Sequence, residues 1–289
     1  MKVSFIGLGI MGLPMAKHLQ KAGKLTKVYN RTRSKAGVFE GTDVQVANSP
    51  KEAAETADLV ITMVSDSSDS EDVILGPEGV IHGAQPGAII VDMSSINPEV
   101  SKQIGRRLGE KGIDFLDAPV SGGEQGAIAG ALAIMVGGNI TAFQKVEPIL
   151  KVFGKSVTHL GPLGMGGYAK LANQIIVGIE MQAMAEAFTL AKEAGLDFEA
   201  LYEAIRYGLA GSHVLDQKIR NLIDGNFNPG FKIELHEKDL RNTLLAAKTL
   251  GISLPFTEQV RQMMHEMIEA GEGGLDHSGL YKRMGDSRE

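Results

Sequence analysis

The stretch KVSFIGLGIMGLPMAKHL (residues 2–19) decides how the first half of this sequence folds. An apolar run leads into Gly7, Gly9 and Gly12, which have the spacing G-x-G-x-x-G, and a helix-forming segment follows. Between a strand and a helix, the first glycine allows a tight turn and the second lets the backbone approach a pyrophosphate. The third lets the helix pack closely on the strand. The stretch therefore predicts a dinucleotide-binding loop, with an ordinary glycine turn as the alternative.

The rest of the chain shows two kinds of pattern. Up to about residue 160, short apolar runs alternate with helix-period segments, which is typical of βαβ units and a largely parallel sheet. From Gly164 the pattern is helical, and residues 168–195 predict one helix of nearly thirty residues. We therefore expect a Rossmann-type α/β domain at residues 1–162 and an all-α domain at residues 163–289, joined by a long interdomain helix. The predicted strands are residues 2–6, 26–30, 58–64, 88–93, 114–120, 131–138 and 156–161.

The composition excludes several classes of protein. With 289 residues, 43% of them hydrophobic, the chain is long enough for two ordinary globular domains. Its net charge of -6 argues against a nucleic-acid-binding protein. It contains no cysteine, which excludes disulfides and thiolate zinc sites. The seven histidines are scattered and form no H-E-x-x-H motif, so we expect no metal.

Two segments bear on localisation. The N-terminus passes directly from Met1 into a strand-like run, without a charged-then-apolar leader, so we expect no signal peptide. The apolar segment 171–190 carries Asn173, Gln174, Glu180 and Glu186, which makes a membrane span costly and favours a buried helix. We therefore expect a cytoplasmic protein without a membrane partner.

The residues after the second predicted strand favour one dinucleotide over another. An acidic residue there would bond the 2′-hydroxyl of the adenosine ribose and repel a 2′-phosphate. The sequence instead has Asn30, Arg31, Thr32 and Arg33. A guanidinium without a neighbouring carboxylate favours NADPH, with NADH as the alternative. A further alternative is that both arginines are solvated turn residues.

A lysine near the start of the long helix is the candidate proton donor. In GYAKLANQ (167–174), the helical spacing of Lys170, Asn173 and Gln174 places a cation and two amides on one face. Such a group can hold a carbonyl oxygen and donate a proton to it as hydride arrives. The alternative is a lysine that extends from a packed helix to solvent.

The segment DAPVSGGEQGA (117–127) contains a candidate anion site. Ser121, Gly122 and Gly123 follow the end of a predicted strand, where open α/β sheets bind ligands. Two glycines after a hydroxyl can present backbone N–H groups to a carboxylate. A plain turn is the alternative.

Five motifs resemble those of the β-hydroxyacid dehydrogenases, in the same order and spacing. They cover essentially the whole sequence. The resemblance implies a Rossmann-type domain joined by a long helix to an all-helical domain. It also implies hydride transfer between a nicotinamide dinucleotide and a small carboxylate-bearing aldehyde or hydroxy acid. The motifs are FIGLGIMGLPMAKHL (5–19), DMSSINP (92–98), DAPVSGGEQGA (117–127), GMGGYAKLANQ (164–174) and HEKDL (236–240).

The same resemblance implies roles for individual residues. Lys170 corresponds to the catalytic acid/base. Many members have an asparagine four residues after this lysine; that position is Gln174 here, so either Asn173 or Gln174 is expected to contact the substrate. The other expected substrate-binding residues are Ser121, Gly122, Gly123, Phe231 and Asp239. The expected cofactor-binding residues are Gly7, Leu8, Gly9, Ile10, Met11, Gly12, Asn30, Arg31, Thr32, Met63, Val64, Ser65, Ser95 and Lys238.

The second half of the sequence is most similar to those family members that reduce tartronate semialdehyde, through stretches such as KLANQIIV (170–177) and NFNPGFKIELHEKDL (226–240). We therefore expect NAD(P)H-dependent reduction of tartronate semialdehyde to D-glycerate. Succinic semialdehyde, glyoxylate and 3-hydroxyisobutyrate are the alternative substrates. A non-catalytic dinucleotide-binding interaction protein is an alternative of another class. The resemblance also implies a homodimer or homotetramer.

Overall fold

The computed structural model describes residues 1–285, which divide into two compact units, residues 1–170 and a unit that begins at Leu171. Within the described residues, the first unit is built on a nine-stranded sheet. Its strands are β1 (Val3–Ile6), β2 (Leu25–Tyr29), β3 (Gln45–Val46), β4 (Leu59–Thr62), β5 (Ile89–Asp92), β6 (Asp114–Asp117), β7 (Val120–Ser121), β8 (Leu132–Gly138) and β9 (Gly154–His159).

The strand order places a reversal near the centre of the sheet. The strands lie in the order β3-β2-β1-β4-β5-β6-β8-β7, with β9 paired to β8, and all pairs from β3 to β6 are parallel. The chain runs outward from β1 in one direction and from β4 in the other. Ligands of such sheets bind at the carboxyl ends of the strands that flank the reversal. The predicted Rossmann-type α/β fold is confirmed.

The central strands are apolar because both of their faces are covered. All residues of β1, β4 and β5 are buried, as expected for parallel strands with helices on both sides. Successive residues of a strand point to opposite faces, and Phe5 and Ile6 accordingly belong to separate core clusters. The core of this unit therefore lies in two layers, one on each face of the sheet.

One predicted strand is in fact two. The sequence predicts a strand over residues 114–120, but β6 ends at Asp117, and β7 contains only Val120 and Ser121. Both pair antiparallel with β8. Pro119 lies between them and lacks an N–H for a strand hydrogen bond, which explains the break. The two-residue β3 is absent from the predicted strands, because it is too short to show a periodicity.

Helices connect the strands, and their starts carry the usual signals. The helix after β5 follows Asn97, whose side-chain oxygen accepts a 2.9 Å hydrogen bond from the Glu99 N–H, and Pro98 is its first residue. The helices of this unit are α1 (Gly12–Lys21), α2 (Pro50–Ala54), α3 (Ser67–Leu75), α4 (Pro98–Gly109), α5 (Gly123–Ala129) and α6 (Ile140–Leu150), with 3-10 segments at Arg33–Phe39 and Val80–His82.

The second unit is helical, as predicted. α7 (Met165–Glu193) starts in the first unit and supplies the first helix of the second. Met264 and Met267, which lie near the end of the chain, are buried in the core of this unit. No helix in the described part of the chain is long and apolar enough to cross a membrane. The remaining helices are α8 (Phe198–Ile205), α9 (His213–Ile223), α10 (Ile233–Leu250), α11 (Pro255–Glu269) and α12 (Leu280–Gly285), with a 3-10 segment at His277–Gly279.

The division between the units falls between Lys170 and Leu171, inside α7, whereas the boundary predicted from the sequence lies in the loop before it. The first turn of α7 is bonded to the first unit. The Gly167 N–H donates to Asp117 at 2.7 Å, and the Tyr168 hydroxyl donates to Glu99 at 3.3 Å. Lys170 is thereby placed in the same unit as the glycine loop.

Candidate active site

The three glycines of the first loop are required for different reasons. Gly7 has a φ of +98°, and a Cβ at this position would lie 2.1 Å from the carbonyl oxygen of Met63. A Cβ on Gly12 would lie 1.9 Å from the carbonyl oxygen of Gly7. By contrast, a Cβ on Gly9 would meet nothing within 4 Å beyond its chain neighbours. The fold explains Gly7 and Gly12, whereas Gly9 keeps open a space that a ligand can occupy.

The loop is held in place by Asn30, which follows β2, and it borders a cleft. The Leu8 N–H donates a 2.7 Å hydrogen bond to the side-chain oxygen of Asn30, whose amide donates to the Thr32 carbonyl oxygen at 2.9 Å. A cleft of about 730 Å³ opens beside residues 8–10. The loop and Met11, which precedes α1, therefore fit the pyrophosphate of a dinucleotide, with backbone N–H groups as donors.

Arg31 lies at the surface, next to a carboxylate from another part of the chain. Its side chain is 87% exposed, and Nη1 lies 3.2 Å from Oδ1 of Asp69 in α3. An exposed pair of this kind contributes little to stability, so the guanidinium can exchange this partner for a phosphate at small cost. Thr32 is exposed beside it, whereas Arg33 donates to the Asn48 side-chain oxygen at 2.9 Å.

The loops after β4 and β5 are joined by a buried network. The Val64 N–H donates to Ser94 Oγ at 2.9 Å, and Ser94 Oγ donates to Asp92 Oδ1 at 2.5 Å. Burial raises the pKa of Asp92 above its ordinary value, although bonds from Ser94 and other hydroxyls lower it. The network fixes two loops at the carboxyl edge of the sheet, the one containing residues 63–65 and the one containing Ser95, where cofactor contacts were predicted.

The break after β6 shapes the segment Ser121–Gly123. Gly122 and Gly123 have φ values of +134° and +62°, which residues with a side chain rarely adopt. A Cβ on Gly123 would meet nothing within 4 Å beyond its chain neighbours, so this position faces open space. Gly123 begins α5, and the first N–H groups of a helix have no partner within it. The segment can therefore offer backbone N–H groups to a carboxylate.

A buried carboxylate caps the helix that carries Lys170. Asp117, at the end of β6, is 2% exposed, and its two carboxylate oxygens accept hydrogen bonds from the Gly164 N–H at 2.8 Å and the Gly167 N–H at 2.7 Å. A carboxylate at this end of a helix satisfies amides that have no partner within it. Lys170 follows in the second turn and is 8% exposed, so it is not a solvated surface lysine. The sheet thus helps to fix its position.

We expect the free energy of unfolding of the wild type, relative to that of the Asp117→Asn variant, to be highest at acidic pH. The neutral amide of the variant cannot ionise, whereas the wild-type carboxyl group changes from the neutral acid to the carboxylate in this pH range. Burial raises the pKa of Asp117 to about 6, although bonds from Gly164 and Gly167 lower it. The folded wild type therefore binds this proton more tightly than the unfolded chain. Its stability relative to the variant falls as the pH rises from about 4 to 6.

Urea unfolding of both proteins between about pH 4 and 7 tests this expectation. The free energy of unfolding of the wild type minus that of the variant should decrease up to about pH 6 and stay constant above it. A difference between wild type and Asp117→Asn that does not vary with pH would contradict the raised pKa.

In the second unit, four of the predicted residues form one polar chain. Gln174 on α7 is buried and donates from Nε2 to Asp239 Oδ2 on α10 at 2.7 Å. Its side-chain oxygen accepts a hydrogen bond from Asn173 Nδ2 at 2.9 Å. The other carboxylate oxygen of Asp239 lies 3.1 Å from Lys238 Nζ. Both the oxygen and the nitrogen of the Gln174 side-chain amide are thus hydrogen-bonded. Asn173 is half-buried.

Phe231 belongs to an aromatic group beside this chain. Its ring centroid lies 5.7 Å from that of His236 and 5.5 Å from that of His277. His236 Nε2 lies 3.2 Å from the Gln174 carbonyl oxygen. The Phe231 N–H donates to the buried carboxylate of Asp276 at 3.0 Å. Phe231 is therefore fixed by both its backbone and its ring.

Sequence reasoning missed the residues that position these groups. Asp117, Ser94 and Asp276 each accept hydrogen bonds from backbone N–H groups of another segment. Asp117 and Ser94 lie at or just after the carboxyl end of a buried strand, and a polar residue at that place is the signal that singles them out. Residues 1–285 contain no group of three or more His, Asp or Glu that could hold a metal ion.

Two known families match consecutive segments of the chain. Residues 2–161 match the family described as the NAD binding domain of 6-phosphogluconate dehydrogenase. Residues 164–284 match the family described as NAD-binding of NADP-dependent 3-hydroxyisobutyrate dehydrogenase. Together the two matches span nearly the whole chain.

Full-length relatives are similar over the same range. The chain is 40% identical to 2-hydroxy-3-oxopropionate reductase of Escherichia coli, over 98% of this chain and 97% of the relative. It is 36% identical to 2-(hydroxymethyl)glutarate dehydrogenase of Eubacterium barkeri, over 97% and 94%. The solved structure of Mycobacterium tuberculosis 3-hydroxyisobutyrate dehydrogenase with L-serine has a TM-score of 0.89 at 28% identity and covers 98% of both chains. The similarity therefore includes every segment that carries the candidate site.

Proposed function

This chain belongs to the β-hydroxyacid (3-hydroxyisobutyrate) dehydrogenase family of NAD(P)-dependent oxidoreductases, and we propose that it reduces a small aldehydo-acid with NADPH. The substrate that we favour is tartronate semialdehyde, whose reduction yields D-glycerate. The Escherichia coli relative is named for this compound under its other name, 2-hydroxy-3-oxopropionate.

The observation that carries the proposal is the position of Lys170. It is 8% exposed, on a helix whose start is held by Asp117, and it belongs to the same unit as the open loops at Gly9 and Gly123. In the proposed reaction, Lys170 donates a proton to the aldehyde oxygen as that oxygen becomes an alkoxide. Lysine side chains ordinarily carry this proton at neutral pH.

Other residues bind and orient. The dinucleotide, bound over the Gly7–Gly12 loop, supplies the hydride. The backbone N–H groups of Ser121–Gly123 hold the substrate carboxylate, which fixes the aldehyde carbon for attack. In the second unit, Gln174 is occupied by Asp239, and this favours Asn173 as the amide that meets the substrate.

Steady-state rates test the choice of substrate. We would measure kcat/KM for tartronate semialdehyde, succinic semialdehyde and glyoxylate, each with NADPH and NADH, and expect tartronate semialdehyde to be preferred by about tenfold or more. A preference for another aldehyde, or for oxidation of 3-hydroxyisobutyrate or 2-(hydroxymethyl)glutarate, would replace the substrate and keep the reaction class. The absence of turnover with all of them would support the non-catalytic, dinucleotide-binding alternative.

Replacing Arg31 with leucine should reduce the preference for NADPH. Its guanidinium follows β2 and is the proposed partner of the 2′-phosphate, because its bond to Asp69 is exposed and weak. A hydrogen bond between charged groups contributes enough binding free energy that its loss should lower kcat/KM for NADPH about 10- to 100-fold. The kcat/KM for NADH should stay within about threefold of the wild-type value.

Two further variants serve as controls for Arg31. Arg33→Leu removes an exposed arginine that bonds Asn48 instead, and should leave the ratio of NADPH to NADH activity nearly unchanged. Asp69→Asn removes the competing carboxylate and should strengthen NADPH binding. If Arg31→Leu lowered both activities equally, Arg31 would not contact the 2′-phosphate.

We also expect a homodimer or homotetramer in the cytoplasm, without nucleic-acid or membrane partners. The family resemblance supports the assembly, and the net charge of -6 argues against a nucleic-acid partner. Glu180 and Glu186 in the apolar segment argue against a membrane span. Light scattering after size-exclusion chromatography would give the number of chains in the assembly.

A further inference from the structure

A histidine on α1 ties this helix to α5, and none of the predicted site roles uses it. His18 Nε2 lies 2.9 Å from the Ile128 carbonyl oxygen and 3.2 Å from the Ala127 carbonyl oxygen, in the last turn of α5. We propose that His18 is a positioning residue, which fixes α5 and the preceding Ser121–Gly123 segment relative to the dinucleotide-binding helix. This inference rests on the proposed function.

Chemistry sets the direction of these hydrogen bonds. Carbonyl oxygens only accept, so Nε2 of His18 carries the proton, in either the neutral ring or the imidazolium. The last carbonyl groups of a helix have no partner within it, and a donor side chain can supply one. His18 therefore satisfies the end of α5, as Asp117 satisfies the start of α7.

α5 has few apolar contacts to hold this end. It contains seven residues, which is too short for a helix that is stable by itself. Ala127 is buried, but the larger Ile128 is 60% exposed. A single methyl group gains little from burial, so the two bonds from His18 are a large part of what positions the helix.

The turn after α5 is shaped around the imidazole. Gly130 has a φ of +65°, and a Cβ at this position would lie 3.2 Å from His18 Cε1. Both the left-handed backbone and the missing side chain let the chain turn against the ring. The contact with His18 is therefore built into the end of α5.

The two helices lead to the two proposed binding loops. α1 starts at Gly12, at the end of the dinucleotide loop, and His18 lies less than two turns along it. α5 starts at Gly123, in the proposed carboxylate-binding segment. A short helix moves as one body, so a shift at Ile128 is passed on to Gly123. Loss of His18 should therefore disturb substrate binding more than dinucleotide binding.

Kinetic constants of His18 variants test the proposal. His18→Ala should raise KM for the aldehydo-acid about tenfold. The Kd of NADPH should rise less than this, although His18 also borders the cleft beside the dinucleotide loop. His18→Asn should restore most of the loss, because its amide can donate to a carbonyl oxygen.

The matched control is His159→Ala. It removes a similar bond, from Nε2 to the Gly138 carbonyl oxygen at 2.8 Å, on a strand that belongs to neither loop. This variant should leave KM unchanged. An unchanged KM in His18→Ala, or an equal rise in His159→Ala, would overturn the link between His18 and substrate binding.

Hydrogen–deuterium exchange tests the anchoring of α5 by His18 independently of the proposed function. Amides of residues 123–129 should exchange about tenfold faster in His18→Ala than in the wild type or in His159→Ala, whether or not an aldehydo-acid is a substrate. If the wild type reduces no aldehydo-acid but this acceleration is seen, the proposed function fails and the anchoring of α5 by His18 is supported. Unchanged exchange in His18→Ala overturns the inference even in a fully active enzyme.

Discussion

We expect the Lys170→Ala enzyme to lose about 1,000-fold in kcat, the range for removal of a general acid, with the Kd of NADPH within about threefold of the wild type. Lys170 is the proposed proton source, and it is buried, so bulk water is a poor substitute. The proton moves in the transition state, which is why kcat should fall far more than substrate binding weakens. Single-turnover rates with NADPH, together with NADPH binding by fluorescence, measure the two quantities.

Two controls separate proton donation from packing. Lys192→Ala removes an exposed lysine of the same helix and should leave kcat essentially unchanged. Added methylammonium should restore part of the activity of Lys170→Ala, because it supplies the missing ammonium group. If Lys170→Ala kept near-wild-type kcat while NADPH bound normally, Lys170 would not be the proton donor.

Replacing Gly12 with alanine should impair folding, whereas replacing Gly9 with alanine should impair cofactor binding. Gly12→Ala should lower the free energy of unfolding by about 3 kcal/mol or more, because its Cβ would collide with a backbone carbonyl oxygen that cannot move aside alone. Gly9→Ala should keep Tm within about 2 °C, since its Cβ meets no neighbouring protein atom. It should nevertheless weaken NADPH binding about tenfold or more, because the methyl group occupies space that the pyrophosphate needs.

Urea unfolding and fluorescence titration with NADPH measure these two effects. Gly109→Ala is the matched control, since its Cβ also meets no neighbouring atom but lies at the end of α4. It should match the wild type in both stability and affinity. Wild-type affinity in Gly9→Ala would show that the open space beside this loop does not receive the pyrophosphate.

The parts of the fold that follow from neighbouring residues were predictable from the sequence. The glycine loop needs a strand, three glycines and a helix, and all of them lie within residues 2–19. The helices of the second unit follow from the 3.6-residue periodicity. The break at Pro119 was also visible in the sequence, but the apolar residues on both sides of it favour a single strand.

The contacts that position the site could not be predicted in this way. Asp117 and Gly164 are 47 residues apart, and His18 and Ile128 are 110 residues apart. Which polar side chain meets which backbone group depends on the order of the strands in the sheet, and local patterns do not encode that order. The pairing of Arg31 with a carboxylate 38 residues away was hidden for the same reason.

The bonds from Gly164 and Gly167 to Asp117 also decide where the first unit can be excised as an autonomous fragment. A fragment that ends at residue 162 contains the buried carboxylate but neither of the amides that bond it, and such a group is costly to bury. A fragment that extends through Lys170 keeps both bonds and the first turn of α7. We therefore expect a self-contained first unit to include Lys170, the proposed proton donor, so that separating the two units requires a cut inside α7.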